Sequence, residues 1–461
     1  MSDTLRSVPA APGRVPLLGH TPALCRRPLR FLESLHTVGD IVRVDLGVRP
    51  VYFVTSPQLI REVLVIQARC FDRGRHADRV RQLFGNGLAT SDGELHRRQR
   101  RLIRPAFGRA ARTGHAAAME RHARALTEAW RPGQVVELDA AVTELVMAAF
   151  AEAMFSSPMG RPAVEEMRRS LPVIMRDAVT RAVLPKALDP LPIPVNRRFD
   201  AAAARLRREF DNVIARYRAA GADHGDLLSL LLAARDEESG EAMSPEQVRD
   251  ELVTITVAAA ETTSAALSWA FFELGRAPEA DRRLHEEVSE AVGAGPAHLL
   301  DPSRLAYTGA VLHEVLRLHA IPLSMRRATT AVELGGVHLA EGSEVAFSVY
   351  ALHRDPRLYP DPHRFDPDRW AAAGRAASLP RGAFIPFGEG NRKCLGDAFA
   401  RTGMAVVLAT VAARWRLRPV REEAPREVRS VSIPRPAGLR MIAVPRGQNA
   451  REPTRLPVNP P

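Results

Sequence analysis

The sequence is poor in cysteine, and it has no long apolar run. Its three cysteines, Cys25, Cys70 and Cys394, form no C-x-x-C pair, so neither a disulfide framework nor a structural zinc site is supported. No stretch of about 18 consecutive apolar residues occurs, which argues against a transmembrane helix. The first residues lack the apolar segment of a secretory signal, so we expect a soluble, cytoplasmic protein.

Lysine is the rarest charged residue, with only Lys186 and Lys393, yet the formal net charge is +12. Arginine supplies the excess, and most of it is expected to lie on a solvated surface. A basic docking face for an acidic partner is a second interpretation. Nucleic-acid binding is a third, but no basic motif interleaved with aromatic residues supports it.

The chain has 461 residues, of which 46% are apolar and 26% charged, as in an ordinary globular protein. Residues 42–46 and 51–54 predict a β-hairpin. A helix of about 30 residues is predicted from Ser244, with Pro245 at N1 and Gln247 closing a capping box. Further helices are predicted over about 303–319, and from just after Cys394 to about Trp415.

Cys394 has surroundings that favour a thiolate. It precedes a predicted helix, whose N-terminal dipole stabilises negative charge, and Arg392 and Lys393 add positive potential. Gly390 and Gly396 allow tight turns and the close approach of a flat ligand. A buried, inert cysteine is the alternative interpretation.

The segment around this cysteine reads F-x-x-G-x-x-x-C-x-G, with Phe387, Gly390, Cys394 and Gly396 at the fixed positions. The pattern resembles the haem-ligand signature of the cytochrome P-450 family. The resemblance implies haem b with the Cys394 thiolate as axial iron ligand. It also implies a mainly α fold with a small β-rich lobe, a long central helix, and haem buried between two helices.

Two further segments resemble the family's structural elements. Glu314 and Arg317 match its E-x-x-R motif, and their i, i+3 spacing places them on one helix face. Arg364, in Pro-His-Arg-Phe, resembles the arginine that joins this pair, so a structural triad of these three residues is expected. A surface salt bridge is the alternative for the pair.

The middle of the long helix carries small residues followed by Glu261 and Thr262. An acid and a hydroxyl inside an apolar helix are costly unless they serve a function. The segment resembles the family's A/G-G-x-D/E-T motif, which implies that Glu261 and Thr262 deliver protons in catalysis. Ala259 departs from the motif, because the family usually has glycine there.

Haem carries two propionates, which need polar or cationic partners. Four residues match family positions for that role, namely His96, Arg100, Arg326 and Arg392. The candidates for an apolar substrate pocket are Val257, Ala258, Leu323, Met325 and Val431.

The resemblance extends from about Pro16 to Val444 and implies a single domain over 16–446, after a flexible segment 1–15 and before a disordered tail 447–461. Three segments, 15–20, 87–93 and 96–101, are similar to actinobacterial sesquiterpene hydroxylases such as pentalenene oxygenase. We therefore expect a monomeric monooxygenase that inserts one oxygen atom from O2 into a C–H bond of a lipophilic molecule. The expected substrate is a sesquiterpene such as pentalenene, oxidised in secondary-metabolite or antibiotic biosynthesis.

No flavin motif or reductase-like segment is fused to the chain, so a ferredoxin with its reductase is the expected electron donor. Its docking face is predicted around Arg97, Arg98, Arg101, Arg104 and Lys393. Macrolides, fatty acids and steroids are alternative substrates. A peroxide-using peroxygenase and a non-catalytic haem-thiolate sensor are alternative functions, and Glu261 with Thr262 counts against the peroxygenase.

Overall fold

The computed structural model describes residues 8–183, 188–293, 304–371, 378–421, 425, 427–428 and 433–446. The predicted tail and the pocket candidate Val431 lie outside these residues. No helix in the described part of the chain is both long enough and apolar enough to cross a membrane.

Helices supply most of the structure, as predicted. The helices of the first half are α1 (Thr21–Arg26), α2 (Pro28–Ser34), α3 (Pro57–Arg61), α4 (Gly74–Phe84), α5 (Gly93–Ile103), α6 (Arg109–Glu128), α7 (Leu138–Met154), α8 (Arg161–Val183), α9 (Pro194–Ala220) and α10 (Leu227–Ala233). Those of the second half are α11 (Pro245–Arg276), α12 (Pro278–Gly293), α13 (Ala306–Leu318), α14 (Val349–Leu352) and α15 (Asp397–Arg414).

The strands are short and, apart from the one at 135–137, lie before α4 or after α13. They are β1 (Ile41–Leu46), β2 (Arg49–Val54), β3 (Phe71–Asp72), β4 (Val135–Glu137), β5 (Ser324–Ala328), β6 (Val332–Leu334), β7 (Val337–Leu339), β8 (Glu344–Phe347), β9 (Trp415–Pro419), β10 (Glu427–Val428), β11 (Arg435–Pro436) and β12 (Arg440–Pro445). The largest sheet has the order β1-β2-β8-β5-β3 and forms the predicted β-rich lobe. Its β1–β2 hairpin is the predicted one, with Ile41 opposite Val54 and Leu46 opposite Arg49.

The described chain begins at Val8, inside the segment 1–15 that was predicted to be flexible. Val8 and Ala11 are buried. The Ala11 amide donates to the Arg43 carbonyl at 2.9 Å, and the Arg43 amide donates to the Pro9 carbonyl at 2.8 Å. The packed chain therefore begins before the boundary predicted at residue 16.

The central helix α11 starts with the predicted capping box. The Ser244 hydroxyl accepts from the Gln247 amide at 3.1 Å, and the Gln247 side chain accepts from the Ser244 amide at 2.9 Å. The N-terminal half of α11 packs in one core cluster with α7–α10, and its C-terminal half packs in another with α6, α13 and α15. The middle of α11, residues 258–262, lies where these two clusters meet.

A buried ion-pair network joins α13 to the segment after α14. Glu314 and Arg317 are both 0% exposed, and two hydrogen bonds of 2.7 and 2.8 Å connect them. Arg369 adds a third charge, with its Nε 3.3 Å from Glu314 Oε1. The predicted Glu314–Arg317 pair is thus present and lies in the core rather than on the surface.

The third member of the predicted triad was wrong. The Arg364 side chain is exposed, and only its backbone carbonyl takes part, accepting from Arg317 Nη2 at 3.1 Å. Arg369 occupies the role instead, because it lies in a buried 3-10 turn, Pro367–Trp370, that packs against α13. The tetrapeptides ending at Phe365 and Trp370 both read Pro-x-Arg-aromatic, so the pattern alone does not separate them.

Candidate active site

The Cys394 loop is held against its neighbours by its backbone. The Cys394 amide donates to the Phe387 carbonyl at 2.8 Å, and α15 begins three residues after the cysteine. Gly390 has a φ of +74°, and an added Cβ would lie 2.1 Å from the Leu64 carbonyl oxygen, so the close approach of the protein backbone requires glycine here, and the approach of a flat ligand stays a prediction. Gly396 lies in a turn, as predicted, but its φ is −86° and an added Cβ would make only ordinary contacts, so this turn does not require glycine.

The electrostatics of Cys394 differ from the sequence-based expectation. Burial raises the pKa of its thiol, and the Gly396 amide, Arg100 and Lys393 act in the opposite direction without outweighing it. Lys393 is engaged with Asp397 at 2.6 Å, and Arg392 turns away to the Ser91 carbonyl. The protein alone therefore favours the thiol, and a bound metal ion would be needed to make the thiolate.

Cys394 is nevertheless accessible to solvent. Burial still dominates its pKa, so protein atoms surround the accessible sulfur, and we call the space beside it the recess. Leu395 and Ala259 pack against the same core cluster, so the cysteine loop and the middle of α11 border one apolar core.

A stretch of α11 is exposed although nearly all of the helix is buried. Ala258 is exposed, and Ala259 and Thr262 are half-buried, whereas the flanking residues lie in the core. The Thr262 hydroxyl donates to the Ala258 carbonyl at 2.8 Å, which is the back-bonding expected of a helical threonine. Because Ala258 and Ala259 are small, a flat body can lie against this face, and Glu261 is buried beside it.

Four basic side chains influence one another's pKa, namely Arg73, Arg326, Arg392 and His96. Burial lowers the pKa of Arg326 to about 9 and that of Arg73 to about 10, and in both cases nearby Arg392 adds to the effect. Burial lowers the pKa of His96 to about 3, helped by Arg392 and Arg73, so this histidine is neutral and serves as a hydrogen-bond donor or acceptor. Cations that lower one another's pKa are stabilised by an anion placed among them.

This group fits the two propionates of haem. Three of the four sequence candidates, His96, Arg326 and Arg392, belong to it. Arg100 lies nearer to the cysteine, because Cys394 and Arg104 are the charged groups that act most on it. Arg73 was missed, since one arginine among so many carries no distinguishing signal in the sequence.

We expect Arg73→Ala to weaken haem binding by about tenfold or more, the effect of losing one charge-assisted hydrogen bond. Titration of the haem-free protein with haem, followed by absorbance, measures this directly. Arg75→Ala is the matched control, because Arg75 is half exposed and pairs with Glu344 at 3.4 Å. Equal losses in the two variants would remove Arg73 from the propionate site.

The predicted pocket residues have different surroundings. Ala258 faces the recess, whereas Val257 is 3% exposed and packs in the core. Leu323 is exposed, and Met325 packs against the cluster under β1 and β2. Among the predicted pocket residues that the structure describes, Ala258 is the one whose side chain is exposed in the recess.

A segment that we call the latch, residues 85–92, bridges the basic group and α11. Three of its carbonyls accept from arginines at 2.6–2.8 Å, Ala89 from Arg73, Thr90 from Arg81 and Ser91 from Arg392. Two of its amides donate to acids of α11, Asn86 to Asp250 at 2.8 Å and Leu88 to Glu251 at 3.0 Å. The latch thus connects the arginines to the N-terminal half of α11.

The predicted basic docking face is largely neutralised. Arg97 pairs with Glu94, Arg98 with Glu241 at 3.2 Å, Arg101 with Glu238 at 2.9 Å, and Lys393 with Asp397 at 2.6 Å. Arg104 is exposed and has no carboxylate partner among the described residues. The partners of Arg98 and Arg101 come from a distant segment and could not be predicted from the sequence, whereas Glu94 and Asp397 lie within four residues of the basic residues that they neutralise.

The chain belongs to the cytochrome P-450 family, whose model matches residues 9–441. It is therefore a P-450 monooxygenase of a family that works with haem-thiolate iron. This confirms the family predicted from the Cys394 segment.

Its relatives include actinobacterial terpenoid enzymes. Cyclooctatin synthase of Streptomyces melanosporofaciens is 44% identical over 441 residues, 95% of each chain. Cyclooctat-9-en-7-ol 5-monooxygenase of the same organism is 42% identical over 412 residues, 89% of each chain. Pentalenene oxygenase of Streptomyces avermitilis is 35% identical over 442 residues, 95% of this chain and 98% of that one. The predicted resemblance to this subgroup is confirmed.

Proposed function

We propose that this monooxygenase inserts one oxygen atom from O2 into a C–H bond of a terpenoid, with haem b bound through Cys394. The observation that carries the proposal is the exposed face of Ala258 and Thr262 in a buried helix, beside an accessible cysteine. When bound there, haem supplies the activation of oxygen. The side chains of the protein bind the haem, leave room for it and deliver protons.

Each of these side chains has one task in the proposal. Cys394 binds the iron, while Arg73, Arg326, Arg392 and His96 hold the propionates. Ala258 leaves room for the flat ring. Thr262 holds a proton at its hydroxyl on the oxygen side of the site, and the adjacent Glu261 links this hydroxyl to the protons of the solvent.

Thr262→Ala is expected to separate the use of electrons from the formation of product. Without the hydroxyl, the ratio of product to reductant consumed should fall by about tenfold or more, and release of hydrogen peroxide should rise. Both quantities can be measured in one turnover assay. Ser268→Ala is the matched control, because Ser268 makes the same kind of back-bond, 2.8 Å to the Ser264 carbonyl, deep in the core. Unchanged coupling in Thr262→Ala would remove this residue from proton delivery.

The substrate class follows from the relatives. Two of them have names that specify terpenoid substrates, a hydrocarbon for pentalenene oxygenase and an alcohol for cyclooctat-9-en-7-ol 5-monooxygenase. We therefore infer a terpenoid, with both chemical forms as candidates.

Optical titration of the ferric protein with pentalenene and other terpenoids tests this function. A shift of the Soret band, followed by NADPH-dependent oxygenated product in a reconstituted system, supports it. Haem binding without any product would favour the sensor, and turnover with peroxide alone would favour the peroxygenase. Product from a fatty acid, macrolide or steroid, but not from a terpenoid, would change the substrate class.

We further propose a ferredoxin as the electron donor, docked at the start of α6. Arg104 and the exposed Arg109 lie there, close in sequence to Arg100, whose pKa is influenced by Cys394. Ferredoxins are acidic, so the charges of the two surfaces are complementary.

Arg104→Glu is expected to raise the KM for an acidic ferredoxin several-fold, and added salt should weaken docking of the wild-type protein. Steady-state turnover at varied ferredoxin and salt concentrations measures both effects. Arg49→Glu, an exposed charge reversal on β2 of the β-rich lobe, should leave the KM unchanged. Turnover that is insensitive to both salt and Arg104→Glu would contradict this docking face.

A further inference from the structure

The face of α11 that carries Ala258 and Thr262 continues toward the N-terminus of the helix as a buried stripe with two polar residues, Glu251 and Thr254. Glu251, Thr254, Ala258 and Thr262 are separated by three, four and four residues, so they share one face of the helix. Glu251 lies two turns from Ala258, about 10 Å along the helix axis at the usual rise per residue. Such a distance suits a polycyclic terpenoid lying along the helix, with one end over Ala258.

Two polar atoms on this stripe have no partner among the described residues. Glu251 is 0% exposed, and its Oε2 accepts from the Leu88 amide at 3.0 Å, but its Oε1 makes no hydrogen bond. The Thr254 hydroxyl, on a residue that is 6% exposed, makes none either. An unsatisfied buried polar atom destabilises the folded protein, and a ligand with a matching group would remove that cost.

Apolar side chains make up much of the surroundings of these two atoms. Leu252, Val253 and Ile255 belong to the core cluster at this end of α11, and Leu88 of the latch packs on the same cluster. Desolvation raises the pKa of Glu251 to about 8, with the Leu88 amide opposing and Asp250 reinforcing the shift. The Glu251 carboxyl is therefore largely protonated at neutral pH and can donate as well as accept a hydrogen bond.

The latch lies directly over this pair. Gly87 fits directly against Thr254, because an added Cβ would lie 2.2 Å from the Thr254 hydroxyl oxygen. Gly85 has a φ of +57°, which glycine adopts without strain. A substrate group that displaces Leu88 and Gly87 slightly would meet both unpartnered oxygens at once.

We infer that Glu251 and Thr254 form a recognition site for a hydroxyl group on the substrate, so that the substrate is a terpenoid alcohol that already carries oxygen. This inference rests on the proposed function. The Glu251 carboxyl and the Thr254 hydroxyl bind the existing hydroxyl, which holds a remote C–H bond over Ala258 and Thr262. An earlier oxygenation, or a cyclisation quenched by water, must supply such a substrate.

The test compares alcohols with their parent hydrocarbons in optical titrations of the haem-loaded protein. The probes are cedrol with cedrene, and abietadienol with abietadiene. We expect the wild-type protein to bind at least one alcohol about tenfold more tightly than its hydrocarbon, the contribution of about one buried hydrogen bond. Thr254→Val should reduce this preference to about twofold, because it removes the hydroxyl and leaves the Leu88–Glu251 bond in place.

A second variant of the site and a control variant accompany Thr254→Val. Glu251→Gln retains an acceptor for Leu88 but changes the other polar atom, and it should also reduce the preference. Thr256→Val is the matched control, because Thr256 is fully buried on the opposite face of α11, with its hydroxyl against Met154 at 3.6 Å. It should keep the preference of the wild-type protein.

The outcomes separate this inference from the proposed function. Equal binding of alcohol and hydrocarbon, or a preference that survives both Thr254→Val and Glu251→Gln, would overturn the hydroxyl site while leaving a terpenoid monooxygenase. No spectral shift with any of the four probes would count against the terpenoid substrate itself, and the hydroxyl site would fall with it.

Discussion

Arg317→Ala should lower the free energy of unfolding by about 3–5 kcal/mol, the usual cost of removing one partner from a buried ion pair. The Arg317 side chain is 0% exposed, and it donates two hydrogen bonds to Glu314. It also donates to the backbone carbonyls of His353, Pro362 and Arg364 at 2.6–3.1 Å. Its loss leaves a buried carboxylate and three carbonyls short of donors.

Arg369→Ala should cost less, about 2 kcal/mol, because Glu314 keeps Arg317 and also accepts from the Trp370 indole at 2.9 Å. Arg364→Ala is the matched control and should change stability by less than about 0.5 kcal/mol, since this side chain is exposed. Urea unfolding midpoints of the three haem-free variants measure the order. A larger loss for Arg364→Ala than for Arg369→Ala would restore the triad predicted from the sequence.

The contrast between Arg364 and Arg369 shows where local patterns stop being informative. Two Pro-x-Arg-aromatic tetrapeptides occur five residues apart, and only the packing of the second against α13 decides which arginine is buried. By contrast, the capping box at Ser244 and the β1–β2 hairpin depend on residues close together in the chain, so the sequence predicted both correctly.

The candidate site shows the same division. Several site residues belong to motifs formed by neighbouring residues in the sequence. They are Cys394, Glu261, Thr262, and the basic residues His96, Arg326 and Arg392. Arg73 and Glu251 acquire their surroundings from residues far along the chain, Arg73 from Arg392 and Glu251 from Leu88. Their importance follows from burial and from partners, neither of which is a local property of the sequence.

The pKa of Cys394 needed the structure for a different reason. Helix dipoles and nearby cations lower a cysteine pKa, but desolvation opposes them, and the sequence does not give its size. The recess around the thiol makes desolvation the larger effect. A cysteine that stays protonated without iron and becomes a thiolate with it couples metal binding to the release of a proton.

Cys394→Ser should abolish the red-shifted Soret band that a thiolate ligand gives to the ferrous carbonyl complex, and turnover should fall by more than about a hundredfold. Substitution of a residue that only hydrogen-bonds to a metal ligand can lower activity by up to about a hundredfold. Loss of Cys394 should lower it more, because the proposal makes Cys394 the ligand itself. Stability of the haem-free protein should hardly change, because the bond that fixes this loop is made by the Cys394 amide rather than by its sulfur.

Cys25→Ser serves as the control for this substitution, since Cys25 lies in α1, near the β-rich lobe, and is exposed. It should keep both the thiolate spectrum and the turnover of the wild-type protein. A thiolate spectrum that persists in Cys394→Ser would require another cysteine as the ligand, and Cys70 is then the one left to test. Loss of the spectrum together with loss of the haem-free fold would instead give Cys394 a structural role. Loss of the spectrum from a stable protein is the result that assigns the axial ligand, because it separates the sulfur from the backbone that carries it.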